Sequence, residues 1–206
     1  MHIYHPRYTL YLLLALLLAG CAEDVPRLTP LSQNAVILAF GDSLTYGTGA
    51  GAGNSYPAVL ERLSGHRVIN AGKPGEQTPA GLARLVRELD DYQPELLILC
   101  HGGNDMLRQQ PLQGMAANLE QMVRLAHERG VQVVMLGVPR PALLTRSTAD
   151  TYRSVAEKMG VPLEDAILAE VLSDNALKSD QIHPNAEGYR RIAEAVYRLL
   201  QKAGAL

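Results

Sequence analysis

Two short stretches of this chain hold residue types that could share one chemistry. In FGDSLTYG, residues 40–47, Ser43 follows an apolar run and opens a loop crowded with glycine. In SDQIHP, residues 179–184, Asp180 and His183 stand three apart on one turn, and Pro184 stiffens the backbone after the histidine. A serine hydroxyl is a poor nucleophile at neutral pH until a base takes its proton. Histidine suits that task when a carboxylate fixes its tautomer and supports the imidazolium. Read singly, Ser43 is a turn residue after a strand, and Asp-x-x-His-Pro is a helix-entry turn with a surface histidine. Read together, Asp180 and His183 could supply the acid and the base from one loop, with Ser43 as the nucleophile they serve. Asp42 and Asp105 lie nearby and read as loop-bracing acids that bond backbone N–H groups. His101 reads as a strand-end residue packed beside Cys100, with a place lining the site as its other reading.

The elements that must carry these residues follow from periodicity. Near-continuous apolar runs at VILAF (36–40), RVIN (67–70), LLILC (96–100) and VVMLGV (133–138) predict four strands, with a weak fifth near Val161–Leu163. Helical spacing recurs between them, at Tyr56-Val59-Leu60-Leu63, Leu82-Leu85-Val86-Leu89, Met115-Leu119-Met122-Val123, Tyr152-Val155-Met159, and from about Ala186 through Ile192, Val196, Leu199 and Leu200. Thr78-Pro79 is a start signal, with Thr78 as cap. Strand–helix alternation with apolar strands means a parallel sheet covered on both faces, here a three-layer α/β/α sandwich with five strands. In such sheets the functional loops lie beyond the carboxyl ends of the strands. Gly41-Asp42-Ser43, Asn70-Ala71-Gly72-Lys73-Pro74-Gly75 and His101-Gly102-Gly103-Asn104-Asp105 therefore meet on one edge. The glycine-rich loop at 47–56 reads as a mobile border of the entrance or as a plain connector.

Four blocks stand in order at these loops: FGDSLTYG, NAGKPGEQT, GGND and DQIHPN. In that order they resemble the SGNH (GDSL) hydrolase family, over residues 36 to about 200. The resemblance implies the flavodoxin-like sandwich of that family and a nucleophile at Ser43, with Asp180 and His183 completing the triad. It implies an oxyanion hole formed by the backbone N–H groups of Ser43 and Gly75 and the side-chain amide of Asn104. Gly72 rivals Gly75, but the pattern N-A-x-x-x-G selects Gly75. The chain looks like the small branch that holds periplasmic thioesterases, lysophospholipases and arylesterases. The expected reaction is hydrolysis of carboxylic esters or thioesters through an acyl-enzyme, on small ester, thioester or lysolipid substrates. The same triad would serve a carbohydrate O-acetyl esterase acting on a polysaccharide or cell-wall glycan. A lipid-anchored binding protein with a dead site is a third reading, and the intact Ser-Asp-His set argues against it.

Composition bounds the rest. Of 206 residues 47% are hydrophobic and 19% charged, which suits one globular domain at 36–206. A net charge of −2 with no basic stripe argues against nucleic acid as a partner. The sequence GTGAGA (47–52) fits a dinucleotide fingerprint only loosely, lying too far past its strand, and the second strand ends in Asn70, not an acid. At the N-terminus TLYLLLALLLAG is apolar but too short to span a membrane, the layout of a secretory signal over residues 1–20. It ends in Leu18-Ala19-Gly20-Cys21, which resembles the bacterial lipobox, so Cys21 is expected to carry lipid. Ala22 stands where an aspartate would favour inner-membrane retention. Attachment on the periplasmic side of a bacterial envelope, at the outer membrane where one exists, is the expectation. Residues 21–35 then read as a polar, proline-bearing tether. Cys100, the second cysteine, reads as a small core residue without a partner. No disulfide, metal or organic cofactor is expected, and the chain is expected to be a monomer.

Overall fold

The structure, a computed structural model, describes residues 25–51, 53–140 and 150–206. Five parallel strands, β1 (Val36–Gly41), β2 (Arg67–Gly72), β3 (Leu96–Cys100), β4 (Gln132–Leu136) and β5 (Leu163–Glu164), form one sheet in the order β2-β1-β3-β4-β5. β3 is buried at every position and β1 at all but its first, as strands covered on both faces must be. Helices α1 (Ser43–Tyr46), α2 (Tyr56–Ser64), α3 (Thr78–Tyr92), α4 (Gly103–Leu107), α5 (Leu112–Glu128), α6 (Asp150–Met159), α7 (Ile167–Ser173) and α8 (Ala186–Ala203) fill the connections. α2 packs on α8, while α3 packs on α5 and α5 on α6, which gives the two outer layers of the sandwich.

α8 illustrates why these sequences take these forms. Tyr189, Ile192, Ala193, Val196, Leu199, Leu200 and Ala203 are buried at three- and four-residue spacing. Asn185 caps its start by accepting the Gly188 N–H, and Gly204 closes it in the left-handed conformation. β1 is the point where strand addition reverses: β2 joins it on one side and β3 on the other. The crevice at that reversal opens between the loops that follow β1 and β3, which carry Ser43 and Asn104.

Three expectations change. The fifth strand is two residues long and begins at Leu163, two residues later than its apolar pattern suggests. Thr78 is not the cap of α3 but its first residue; Gln77 holds the cap position. The Thr78 hydroxyl donates to Asp105 Oδ1 (2.6 Å) and its N–H donates to Asp105 Oδ2 (2.9 Å), so a carboxylate from α4, just beyond β3, caps this helix. The third change concerns the tether. Residues 1–24, which hold the expected signal and the tether's start at Cys21, lie outside the described residues, but the rest of the run is docked. Leu28 and Leu31 donate their N–H groups to Ala203 O and Ala205 O, both at 2.9 Å, and Val25, Leu28 and Leu31 pack against the core. The apolar residues in that run and the free backbone donors between its prolines find partners on the domain.

Candidate active site

Ser43 is the first residue of α1, directly after β1. Asp42 caps this helix through Oδ1, which accepts the Leu44 N–H (3.0 Å). Its other oxygen accepts from Asn104 Nδ2 (3.1 Å), so the side chain joins the loops after β1 and β3. Burial raises the Asp42 carboxyl above its ordinary value, against the pull of His101, Leu44 and Asn104.

His183 reaches Ser43 from a loop 140 residues away. Asp180 Oδ1 accepts the N–H groups of Ile182 and His183, both at 2.8 Å, which folds the turn that presents the imidazole. Asp180 Oδ2 lies 2.8 Å from His183 Nδ1, and His183 Nε2 lies 2.9 Å from Ser43 Oγ. The Ile182 N–H and the His183 ring hold the Asp180 carboxyl below its ordinary value. A carboxylate only accepts, so Nδ1 donates to it, and Nε2 is left to accept the Ser43 hydroxyl proton. Three side chains thus form one proton-directed line, Ser43 to His183 to Asp180.

Around the serine, several donors are uncommitted. The N–H groups of Ser43 and Gly75 meet no acceptor among the described residues. Gly75 has φ +76, a left-handed turn that glycine adopts without strain. The Asn104 amide has two hydrogens, and the bond to Asp42 uses one of them. Gly72, in contrast, donates its N–H to Asn70 Oδ1 (3.0 Å) and is committed to β2.

A cleft of about 390 Å³ opens at this point. Ser43, Asn104 and His183 lie on it, with Leu107, Val138, Leu172 and Ile182 as apolar wall and Arg140 and Lys178 as charged rim. The wall was not legible by motif, because Leu107, Val138, Leu172 and Ile182 each come from a different stretch of the chain. The segment 141–149, which mixes leucines with Arg146 and Ser147, lies outside the described residues. The described residues of the 47–56 loop do not line the cleft, and Tyr189 Oη donates to Thr48 O (2.9 Å) within that loop.

His101 is fully buried and does not line the cleft. The Gly102 N–H donates to its Nδ1 (2.9 Å), so the proton sits on Nε2, which faces Glu76 Oε2 (3.3 Å). Arg84 grips the same carboxylate through Nε (3.1 Å) and Nη2 (2.7 Å) and donates to Ala71 O (3.1 Å). Its guanidinium lies over the Phe40 ring at 4.1 Å. Burial alone would raise Glu76, but His101 and Arg84 bring its carboxyl down to about 2. Sequence reasoning missed this network. Its one signal was the acid next to Gly75, whose partners stand 8 and 25 residues further on.

The model of the GDSL-like lipase/acylhydrolase family matches residues 39–191. The chain belongs to that family. An arylesterase of Vibrio mimicus is 33% identical over 176 residues, covering 81% of this chain and 88% of that protein. Thioesterase 1/protease 1/lysophospholipase L1 of Escherichia coli K12 is 30% identical over 172 residues, covering 80% and 83%. Among solved structures, AlinE4, an SGNH-hydrolase family esterase, is 33% identical with a TM-score of 0.62, covering 85% of this chain and all of that one. The GDSL-like family match runs from within β1 into the first third of α8, so all four site loops lie inside it.

Proposed function

We propose that this protein is a serine hydrolase that cleaves carboxylic esters and thioesters, lysolipids included, from a lipid anchor at Cys21 on the periplasmic side of a bacterial envelope. The observation that carries the reading is the Ser43–His183–Asp180 line, with contacts of 2.9 and 2.8 Å, opening into a cleft with apolar walls. The names of the relatives support the reaction class: arylesterase, thioesterase and lysophospholipase. The apolar wall favours an acyl chain over the O-acetyl group of a glycan, which needs a shallow polar cleft.

The proposed reaction has two acyl-transfer stages. Ser43 Oγ attacks the substrate carbonyl as its proton passes to His183 Nε2, and the imidazolium is held by Asp180. The resulting oxyanion is assigned to the N–H groups of Ser43 and Gly75 and the spare hydrogen of Asn104, donors that need no reorganisation to receive it. Collapse expels the alcohol or thiol, which takes the proton from His183 and leaves the acyl group on Ser43. Water then gives a proton to His183 as it attacks the acyl carbonyl, and the second collapse passes that proton from His183 to Ser43 Oγ, freeing the acid and restoring the serine.

Labelling with a fluorophosphonate tests the nucleophile, and p-nitrophenyl esters of rising chain length, run beside a lysophospholipid, an acyl thioester and acetylated xylan, test the substrate class. Wild type is expected to be labelled at Ser43 and to prefer acyl chains over acetylated xylan. Ser43→Ala is expected to lose kcat by roughly 10⁶-fold with its fold intact. A folded Ser43→Ala that keeps a measurable share of activity would place the nucleophile elsewhere.

A further inference from the structure

The docked segment before β1 fixes where an N-terminal anchor leaves the domain. Besides the bonds of Leu28 and Leu31, Gln132 donates from Nε2 to Thr29 O (3.0 Å), and the Ser32 N–H donates to Glu95 Oε2 (3.0 Å). Gln132 opens β4, Glu95 sits one residue before β3, and Ala35 leads into β1. The segment therefore lies along the edge where the strands start. Ser43, Asn104 and His183 lie on the opposite edge, where the strands end.

α8 measures the separation. It starts three residues after His183 and ends at Ala203, the residue whose carbonyl takes the Leu28 N–H. Its 18 residues span about 27 Å at the usual helical rise.

We propose that the lipid on Cys21 holds the domain with its strand-start edge against the bilayer and its cleft turned away, so that substrate arrives from the aqueous side instead of from the anchoring leaflet. This rests on the lipid anchor and the serine chemistry proposed above. Seven residues lead from Cys21 to Leu28. Fully extended, they reach about 24 Å, less than the length of α8. While Leu28 and Leu31 stay docked, the cleft cannot swing down to the surface that holds Cys21. Arg27, Arg198 and Lys202 are exposed around the Leu28–Ala203 contact, and Arg27 Nη1 donates to Lys202 O (3.3 Å). Those three side chains offer positive charge to anionic headgroups beside the point where the segment docks. The exposed apolar side chains at the cleft, Leu107 and Ile182, belong to the other pole and meet substrate, not bilayer.

The test uses the lipidated full chain in vesicles diluted until vesicles rarely meet. One fluorophosphonate is water-soluble, and a second carries two acyl chains that confine it to the same bilayer. A variant with about 30 Gly-Ser residues inserted between Cys21 and Val25 gains a root-mean-square reach of about 30 Å. Both proteins should react equally with the soluble probe. The confined probe should label Ser43 of the natural chain about tenfold more slowly than that of the variant, because a tether too short to span gives almost no effective concentration. Equal labelling of the two by the confined probe would overturn the orientation. Failure of the soluble probe at Ser43 would instead sink the serine-hydrolase reading, and a chain that does not stay with the vesicles would sink the lipid anchor and the orientation together.

Discussion

Four acids crowd the site region, and their partners separate their tasks. Asp180 is the one bonded to the His183 ring, at 2.8 Å from Nδ1. Asp105 faces Thr78, with both oxygens taken by that residue's N–H and hydroxyl. Asp42 caps α1 and holds Asn104, and Glu76 belongs to the buried network below. Asp180→Asn removes the acceptor that sets the imidazole tautomer, and kcat is expected to fall by roughly 10⁴-fold. Asp105→Asn acts on the start of α3, so it is expected to cost about 1 kcal/mol of stability, as lost helix caps do, with a much smaller change in kcat. Steady-state kinetics and urea denaturation of the two variants check the contrast. A severe kinetic loss in Asp105→Asn beside a mild one in Asp180→Asn would mean that His183 is oriented from β3's loop instead of its own turn.

At the scale of elements, the His101–Glu76–Arg84 network fastens the ends of β2 and β3 together. Glu76 follows Gly75, His101 follows β3, and Arg84 on α3 reaches Ala71 in β2. The Glu76 carboxyl lies at about 2 in the folded protein against an ordinary 4.5. A group whose folded value is depressed adds stability above its unfolded value and loses it as pH falls toward the folded one. This contribution is therefore complete above about pH 5 and fades between there and pH 2. Glu76→Gln takes the negative charge and one of the two acceptor oxygens away from Arg84 and His101 and is expected to cost about 3 kcal/mol at pH 7, a deficit that shrinks toward pH 2. Urea midpoints measured from pH 7 to pH 2.5 for both proteins check this; parallel curves would mean that Glu76 is not ionised in that network. These ties explain what the sequence could and could not disclose. β1 and β3 were legible because burial on both faces writes an unbroken apolar run, and α8 because its buried face repeats. α1 has four residues and β5 two, too few to carry a period. The role of Thr78 was misread because its partner, Asp105, is 27 residues away and only the sheet brings them together. Asp180 and His183 were legible as a pair because they share one turn, whereas the cleft wall is assembled from stretches that no local pattern joins.

The whole molecule has two ends, the cleft edge and the strand-start edge, and the polar run before β1 docks at the second. That run looks like a linker because its bonds are made mostly by the backbone, which no side-chain pattern records. Leu28 and Leu31 are only partly buried, yet their N–H groups close onto the carbonyls of Ala203 and Ala205, where α8 ends. Ser32 adds a bond from its hydroxyl and one from its N–H to Glu95. Docking therefore joins the first described residues to the last helix, which at its other end leads back to His183. Removing the segment by starting the chain at Gln33 exposes those carbonyls and the apolar surface under the two leucines. Partial burial of each leucine is worth about 1 kcal/mol, and each net hydrogen bond about 1 kcal/mol, so a loss on the order of 3–4 kcal/mol is expected. Leu31→Ala alone should lose about 1 kcal/mol. The kcat of both variants on a soluble ester should stay within about twofold of wild type, since the segment lies one length of α8 from Ser43. Urea denaturation with kinetics on the same samples checks both parts. A shortened chain as stable as the full one would make the segment a plain tether, free to lengthen the reach from Cys21. A shortened chain that folds but loses kcat would mean that the hold on the end of α8 is felt at His183.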